Sequence, residues 1–271
     1  MNVYLAGLNC GNISKKQKMN IYLAGFHGEK NRTNQNDILK QKIYVLESFA
    51  YIKDWQLPLI KNEWNFLLDS GAFTFMDNVQ ERTTGIDWND YVKRYADFIN
   101  KMNIDLFFEL DIDSILSLKE VEKLREKLEK LTGKKSIPVW HRSRGIDYWI
   151  KMCKNYPYVA ISASGKYASS WVHDPKSIHV INKMIDIAHS NGAKVHGLGY
   201  TKLKKLNDVK FDSVDSTAWL YGNRGGFLFQ FDGTTLTKHM KPEGSRMKSN
   251  EIAIHNFKEW VKFQKYAKNN L

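Results

Sequence analysis

Residues 66–73 read FLLDSGAF. Three consecutive apolar residues without polar alternation describe a strand buried on both faces, the pattern of a parallel sheet covered by helices. The run stops on Asp69, and a carboxylate that ends an interior strand is poorly solvated unless something there uses it. Working outward, similar runs recur at NIYLAGF (20–26), KIYVLESF (42–49), WNFLLDS (64–70), DLFFELD (105–111), SIPVWH (136–141), YVAISAS (158–164), AKVHGLG (193–199) and KFDSVDS (210–216). Segments of helical period lie between many of them: 87–102, 117–132, 145–156 and 174–192. Asp87, Ser117 with Glu120 as a capping box, and Asp174 followed by Pro175 open three of these, and Gly133 and Gly192 close two. Eight strands mostly separated by helices predict an α/β fold, a single-domain (β/α)8 TIM barrel, with an open doubly wound sheet as the alternative.

The expected division is an N-terminal extension (1–18), barrel strands and helices (19–221), and a hairpin with a closing helix (222–271). MNVYLAGL at 1–8 is nearly repeated as MNIYLAGF at 19–26, and the second copy is read as the first barrel strand. TGIDWNDY (84–91) reads as a loop entering a helix. The stretch 225–240 reads as a hairpin turning at Asp232-Gly233, followed by a helix over 251–269.

Composition narrows the function classes. No run approaches the roughly 20 apolar residues of a membrane span, and the start MNVYLAGLNCGNISKK lacks the apolar core of a signal peptide, so a cytoplasmic protein is expected. Cys10 and Cys153 cannot supply a disulfide framework or a four-thiolate zinc site, and Cys153 reads as a core residue of its helix. Lys and Arg total 41 against 29 Asp and Glu, a net charge of +12, which favours a polyanionic partner such as nucleic acid. A lysine-rich solubilising surface gives the same sum.

In a (β/α)8 barrel the active site lies at the C-terminal ends of the strands. Those ends carry Asp69-Ser70-Gly71, then Glu109, Asp111 and Asp113, then His141, Ser162 and Ser164, His196, and Asp212 with Asp215. Any one strand-end aspartate serves equally well as a helix cap, and either histidine as a packed core residue. Acids, histidines and hydroxyls converging on one rim make a reaction site the stronger reading. No close pair of His ligands is present, and GNRGG (222–226) is a weak nucleotide signal, so neither metal nor cofactor is expected.

The set LLDSGAF (67–73), FFELDID (107–113), YVAISAS (158–164), VHGLGYTKL (195–203) and KFDSVDSTAWL (210–220) resembles the tRNA-guanine transglycosylase superfamily. Within it, the compact DNA-guanine transglycosylase type of bacterial viruses, which installs 7-deazaguanines in DNA, is the nearer resemblance. The match spans about residues 64 to 226 and is specific at DSGAF and FDSV. The resemblance implies a (β/α)8 barrel and base exchange on DNA, using a free 7-deazaguanine such as 7-cyano-7-deazaguanine. It puts the DSG acid on Asp69, with Ser70 and Gly71 beside it, and the base-stacking aromatic on Phe73. The nucleophile falls on Asp212, with Asp215 the rival three residues on, turned to the opposite face of an ideal strand. The base-recognising aspartate falls on Asp111, or on Asp113 in the other register. His141, Ser162, His196 and Gly197 complete the implied base pocket, and Lys202, Lys204 and Arg224 are candidates for phosphate. Ser162-Ala163 stands where the family has a Gly-Gly turn, and His196 where it has an apolar residue over the base. The zinc module of the tRNA enzymes is absent, which disfavours tRNA against DNA.

Overall fold

The computed structural model describes residues 18–26, 36–71, 86–163, 174–200, 202–220, 226–242, 244 and 247–271. The first copy of the repeat, Phe73 and Arg224 lie outside the described residues. In chain order the elements are β1 (Asn20–Ala24), α1 (Asn36–Leu39), β2 (Tyr44–Ser48), α2 (Leu57–Asn62), β3 (Asn65–Asp69), α3 (Trp88–Met102), α4 (Leu118–Thr132), β4 (Val139–Trp140), α5 (Gly145–Asn155), β5 (Tyr158–Ser162), α6 (Ile178–Ser190), β6 (Lys194–Leu198) and β7 (Ser213–Ser216). The hairpin strands β8 (Phe227–Phe231) and β9 (Leu236–Met240) and the long α7 (Ser249–Asn270) follow.

Strands β1 to β7 form one curled parallel sheet in the order β3-β2-β1-β7-β6-β5-β4. The first strand therefore pairs with the last, and the two sheet edges are consecutive in sequence. Segment 105–111, which the apolar pattern predicts as a strand, lies between those edges as isolated parallel bridges, Leu68 to Phe107 and Phe108 to Ile137. Leu68 N donates to Leu106 O at 3.0 Å, Phe108 N to Leu68 O at 3.0 Å, and Ile137 N to Phe107 O at 2.8 Å. The ladder is interrupted one residue on, because Val139 N donates to the side chain of Glu109 (Oε1, 2.8 Å) instead of to its backbone.

Period-two alternation sorts each strand into two cores. Tyr22, Leu46, Leu67, Phe108, Val139 and Ala160 are buried together on the concave side, with Leu198 packed against them. Val45, Val159, Val195 and Val214 face the other way, in a cluster with helix residues such as Trp149, Ile181 and Phe257. Cys153 is buried in that outer layer.

The helix boundaries follow local signals. Asp87 Oδ1 accepts from Asn89 N and Asp90 N at the start of α3, and Ser117 and Glu120 form a capping box on α4. The Asp174-Pro175 signal opens a 3-10 turn over Pro175–Ser177, with Asp174 Oδ1 accepting from Lys176 N at 2.9 Å, and α6 begins only at Ile178. Beyond the sheet, β8 and β9 pair antiparallel, and Asp232 Oδ1 accepts from Thr234 N and Thr235 N in their turn. Helix α7 clamps this hairpin to the sheet: Asn256 bonds the backbone of Phe229 and Phe227, and Gln264 Nε2 donates to Ile21 O and Tyr44 O. No helix of the described residues is long and apolar enough to cross a membrane.

Candidate active site

The chain turns sharply after β3. Gly71 N donates back to Asp69 Oδ2 at 3.0 Å, and Gly71 has φ +80°, where a side chain is strained. A Cβ there would lie 2.9 Å from Ala50 Cβ and 3.0 Å from Tyr91 Oη. Helix α3 pins the turn from outside: Tyr91 Oη donates to Ser70 O at 2.6 Å, and Tyr95 Oη lies 3.1 Å from Phe108 O and 3.3 Å from Leu68 O. Ser70 is buried under this clamp.

Asp69 keeps partial solvent access, yet its carboxyl group is enclosed by protein. Burial pushes its pKa up from 3.8 to about 7; the Gly71 N–H opposes the rise, and the carboxylates of Asp111, Asp215 and Glu47 add to it. Three acids from β3, β7 and segment 105–111 therefore share one electrostatic neighbourhood at the C-terminal edge of the sheet.

Asp111 is paired with His141, which follows β4, through a hydrogen bond from His141 Nε2 to Asp111 Oδ1. Burial works against the imidazolium there, but the Asp111 charge and hydrogen bond outweigh it and raise the His141 pKa. Asp113 is engaged differently. Arg144 grips it with two nitrogens, Nε at 2.6 Å from Oδ2 and Nη2 on Oδ1, while Nη1 reaches Glu109 Oε1 at 2.9 Å. Glu109 Oε2 accepts from Arg125 Nη1 at 3.0 Å. Glu109, Arg125 and Arg144 are buried, so this is a paired network holding segment 105–111 and the turn after β4, and Asp113 is bound into it by Arg144.

Asp215 is in β7 and faces the concave side; its Oδ1 accepts from Gly199 N at 2.6 Å and from His196 Nε2 at 3.1 Å. Asp212 is elsewhere. Its Oδ2 accepts from Val195 N at 2.7 Å and lies 2.9 Å from His189 Nε2 at the end of α6, and its carbonyl accepts from Asn20 N, the first residue of β1. Those partners mark the N-terminal edge of the sheet, about 10 Å along the strand from Asp215 at roughly 3.3 Å per residue. The expectation that Asp212 stands at the same rim as Asp69 is therefore corrected. Three residues is an odd step, so the pleat turns Asp212 outward to α6 and Asp215 inward.

Two further expectations change. His196 is fully buried beneath the rim, with its ring 5.3 Å from Phe108 and 5.9 Å from Tyr22, and it bonds Ser213 and Asp215; it does not cover a base. Gly197 faces the outer layer, where a Cβ would meet the Phe211 ring at 2.9 Å, so its smallness serves packing. Ser162 ends β5 on the concave face and is buried. Lys202 is exposed between β6 and β7, and Lys204 belongs to the 3-10 segment Leu203–Asp208. Sequence reasoning missed Tyr91, Tyr95, Arg125, Arg144, Tyr158 and Ser213. Tyr91 and Tyr95, four apart on the buried stripe of an amphipathic helix, carried a readable signal.

Asp69, Asp111, His141 and Asp215 thus assemble from distant parts of the chain, with the Asp69 carboxyl held protonated to near neutral pH beside two further carboxyl groups and an imidazole. Such a set can deliver a proton and stabilise a developing positive centre at the same time.

No family model matches the chain, and no curated protein matches it. Among solved structures it is similar to the carboxyl transferase domain of Rhizobium etli pyruvate carboxylase with 3-hydroxypyruvate, at TM-score 0.42 and 12% identity over 94% of this chain and 49% of that one. The same domain with 3-bromopyruvate gives TM-score 0.45 and 14% identity over 93% and 48%. The chain spans about half the length of these structures, and likenesses this loose carry no argument about its chemistry.

Proposed function

We propose that this chain is a base-exchange transglycosylase that replaces guanine in DNA with a 7-deazaguanine through a covalent glycosyl-aspartate, with Asp215 as nucleophile and Asp69 as the acid and then the base. In this reading the fold is a closed (β/α)8 barrel, with segment 105–111 as the fourth strand. The bridges from Leu68 to Phe107 and from Phe108 to Ile137 support that closure. One observation carries the functional reading: the DSG acid, Asp69, has its pKa pushed up to about 7, by burial and by the neighbouring carboxylates of Asp111 and Asp215.

The chemistry requires such inequality. Breaking the bond between C1′ and the purine passes through an oxocarbenium-like state that needs a negative group on one face. An Asp215 carboxylate supplies it and captures C1′, dividing one difficult displacement into two. The bond electrons leave with guanine, which takes the proton Asp69 holds. The incoming deazaguanine returns a proton to Asp69, attacks C1′ and releases Asp215. An acid with a pKa near 7 is populated in both forms at neutral pH, as a group that must donate and then accept requires. Asp111 suits the donor edge of a guanine-like base, with His141 fixing its orientation. The target must leave the helix stack or be unpaired already. In this reading the exposed Lys202 meets phosphate, and affinity for the polymer should fall steeply with salt.

The test is incorporation of radiolabelled guanine, or of 7-cyano-7-deazaguanine, into duplex DNA, single-stranded DNA and bulk tRNA. Label in DNA alone supports the proposal; label in tRNA alone moves the substrate to RNA. Release of free guanine without incorporation makes the protein a hydrolytic N-glycosidase, and binding without either reaction makes it a nucleic-acid-binding barrel. Covalent adduct formation in a single turnover should also slow about tenfold per pH unit above about 7, as Asp69 loses its proton.

A further inference from the structure

Three side chains, Tyr158, Ser213 and His196, join the inside of the sheet to Asp215. Tyr158 Oη lies 2.5 Å from Ser213 Oγ, Ser213 Oγ lies 2.5 Å from His196 Nδ1, and His196 Nε2 lies 3.1 Å from Asp215 Oδ1. Ser213 and His196 are fully buried, so each polar atom depends on these partners.

The direction of the chain follows from donor and acceptor counting. Burial holds the Tyr158 phenol protonated well beyond its ordinary range. Among the described residues its one hydrogen-bond partner is Ser213 Oγ, so the phenol O–H donates there. Ser213 then directs its own proton to His196 Nδ1, which must accept. An imidazole that accepts at Nδ1 is neutral and carries its proton on Nε2, and that proton points at Asp215 Oδ1. Read from the other end, an ionised Asp215 can only accept, which demands a proton on Nε2.

We propose that His196 is a positioning residue for Asp215, locked by Tyr158 and Ser213 as the neutral Nε2–H tautomer so that Oδ1 is held and Oδ2 is presented for covalent attack. This rests on the base-exchange reading above. The Gly199 N–H reinforces the arrangement, since it too donates to Oδ1 at 2.6 Å. Among the described residues, both hydrogen bonds to the carboxylate fall on that oxygen. In the first step an Oδ2 lone pair forms the bond to C1′ while the C1′–guanine bond breaks, and the proton for the departing base comes from Asp69. His196 keeps its proton throughout. The same N–H then bonds the carbonyl oxygen of the glycosyl ester and supports Asp215 as a leaving group when the second base arrives.

The experiment follows the covalent protein–DNA adduct on denaturing gels in single turnovers, alongside DNA affinity, for wild type, His196→Leu and His196→Gln. Loss of the donor frees the carboxylate to rotate, and misplacement of a reacting atom by about 1 Å is worth about 100-fold in rate. We expect His196→Leu to form adduct about 100-fold more slowly with DNA affinity unchanged, and His196→Gln, whose amide nitrogen reaches the Nε2 position, to recover about tenfold of that loss. Adduct in the wild type with a His196→Leu rate within twofold of it overturns the role of His196 alone. No adduct in the wild type on DNA or RNA brings down the base-exchange reading, and the role of His196 with it. Nitrogen-15 NMR of the wild-type histidines tests the chain independently of activity: a protonated Nε2 and bare Nδ1 are expected for His196, and an Nδ1–H tautomer or an imidazolium overturns the proposal.

Discussion

Asp69→Asn should make the protein more stable at pH 8, and by a margin that grows with pH. The native state holds the Asp69 proton up to about pH 7, whereas the unfolded chain releases it near 3.8. Between those values the native state binds more protons, so stability falls as pH rises through that window and levels off above about 7. At about 1.4 kcal/mol per pKa unit the full penalty on the wild type is about 4 kcal/mol, of which about 2.5 kcal/mol develops between pH 5 and pH 8. Partial solvent access to Asp69 reduces this, and about 1 kcal/mol is the smallest widening the argument tolerates. Asparagine has no charge to desolvate, and its carbonyl oxygen can still accept from Gly71 N. The assay is urea unfolding of both proteins at pH 5, 6, 7 and 8, in which the titrating groups not coupled to Asp69 cancel in the difference. A stability difference that does not change with pH would falsify the burial argument for Asp69, whatever the variant does to activity.

Four other substitutions test the roles of single residues. Asp215→Asn should abolish the covalent adduct with DNA binding intact, while Asp212→Ala should retain adduct and cost about 1–3 kcal/mol in unfolding experiments, because Val195 N and His189 lose their partner; the opposite pattern returns the nucleophile to Asp212. Gly71→Ala should cost about 1–2 kcal/mol for its left-handed backbone and about 1–3 kcal/mol more for the contacts with Ala50 and Tyr91, read as a lowered denaturation midpoint. Arg144→Met leaves Asp113 without its guanidinium and Glu109 with Arg125 alone, and should destabilise by about 3–5 kcal/mol; a change under 1 kcal/mol would show that the network is not held by charge pairing.

Much of the architecture was legible because its causes are local. Seven of the predicted apolar runs are strands of one parallel sheet, the Ser117–Glu120 box and the Asp87 cap act within a few residues of themselves, and Asp232 makes its own turn. Segment 105–111 has the composition of a strand but only bridges its neighbours, since the Glu109 side chain, 30 residues from Val139, takes the ladder's N–H. The same distinction runs through the site. Asp69 was identifiable as an acid ending an apolar run, a feature contained in eight letters. Choosing between Asp212 and Asp215 required knowing where β7 begins and which way it faces, and β1 and β6 decide that by pairing with it. Asp113 is claimed by Arg144 from 31 residues away, and Asp215 receives its hydrogen bond from His196 across 19. Capping and periodicity are properties of consecutive residues and survive in the sequence alone; burial, strand facing and the partner of a charged group exist only once distant strands are brought side by side, and those decided which carboxylates can act together.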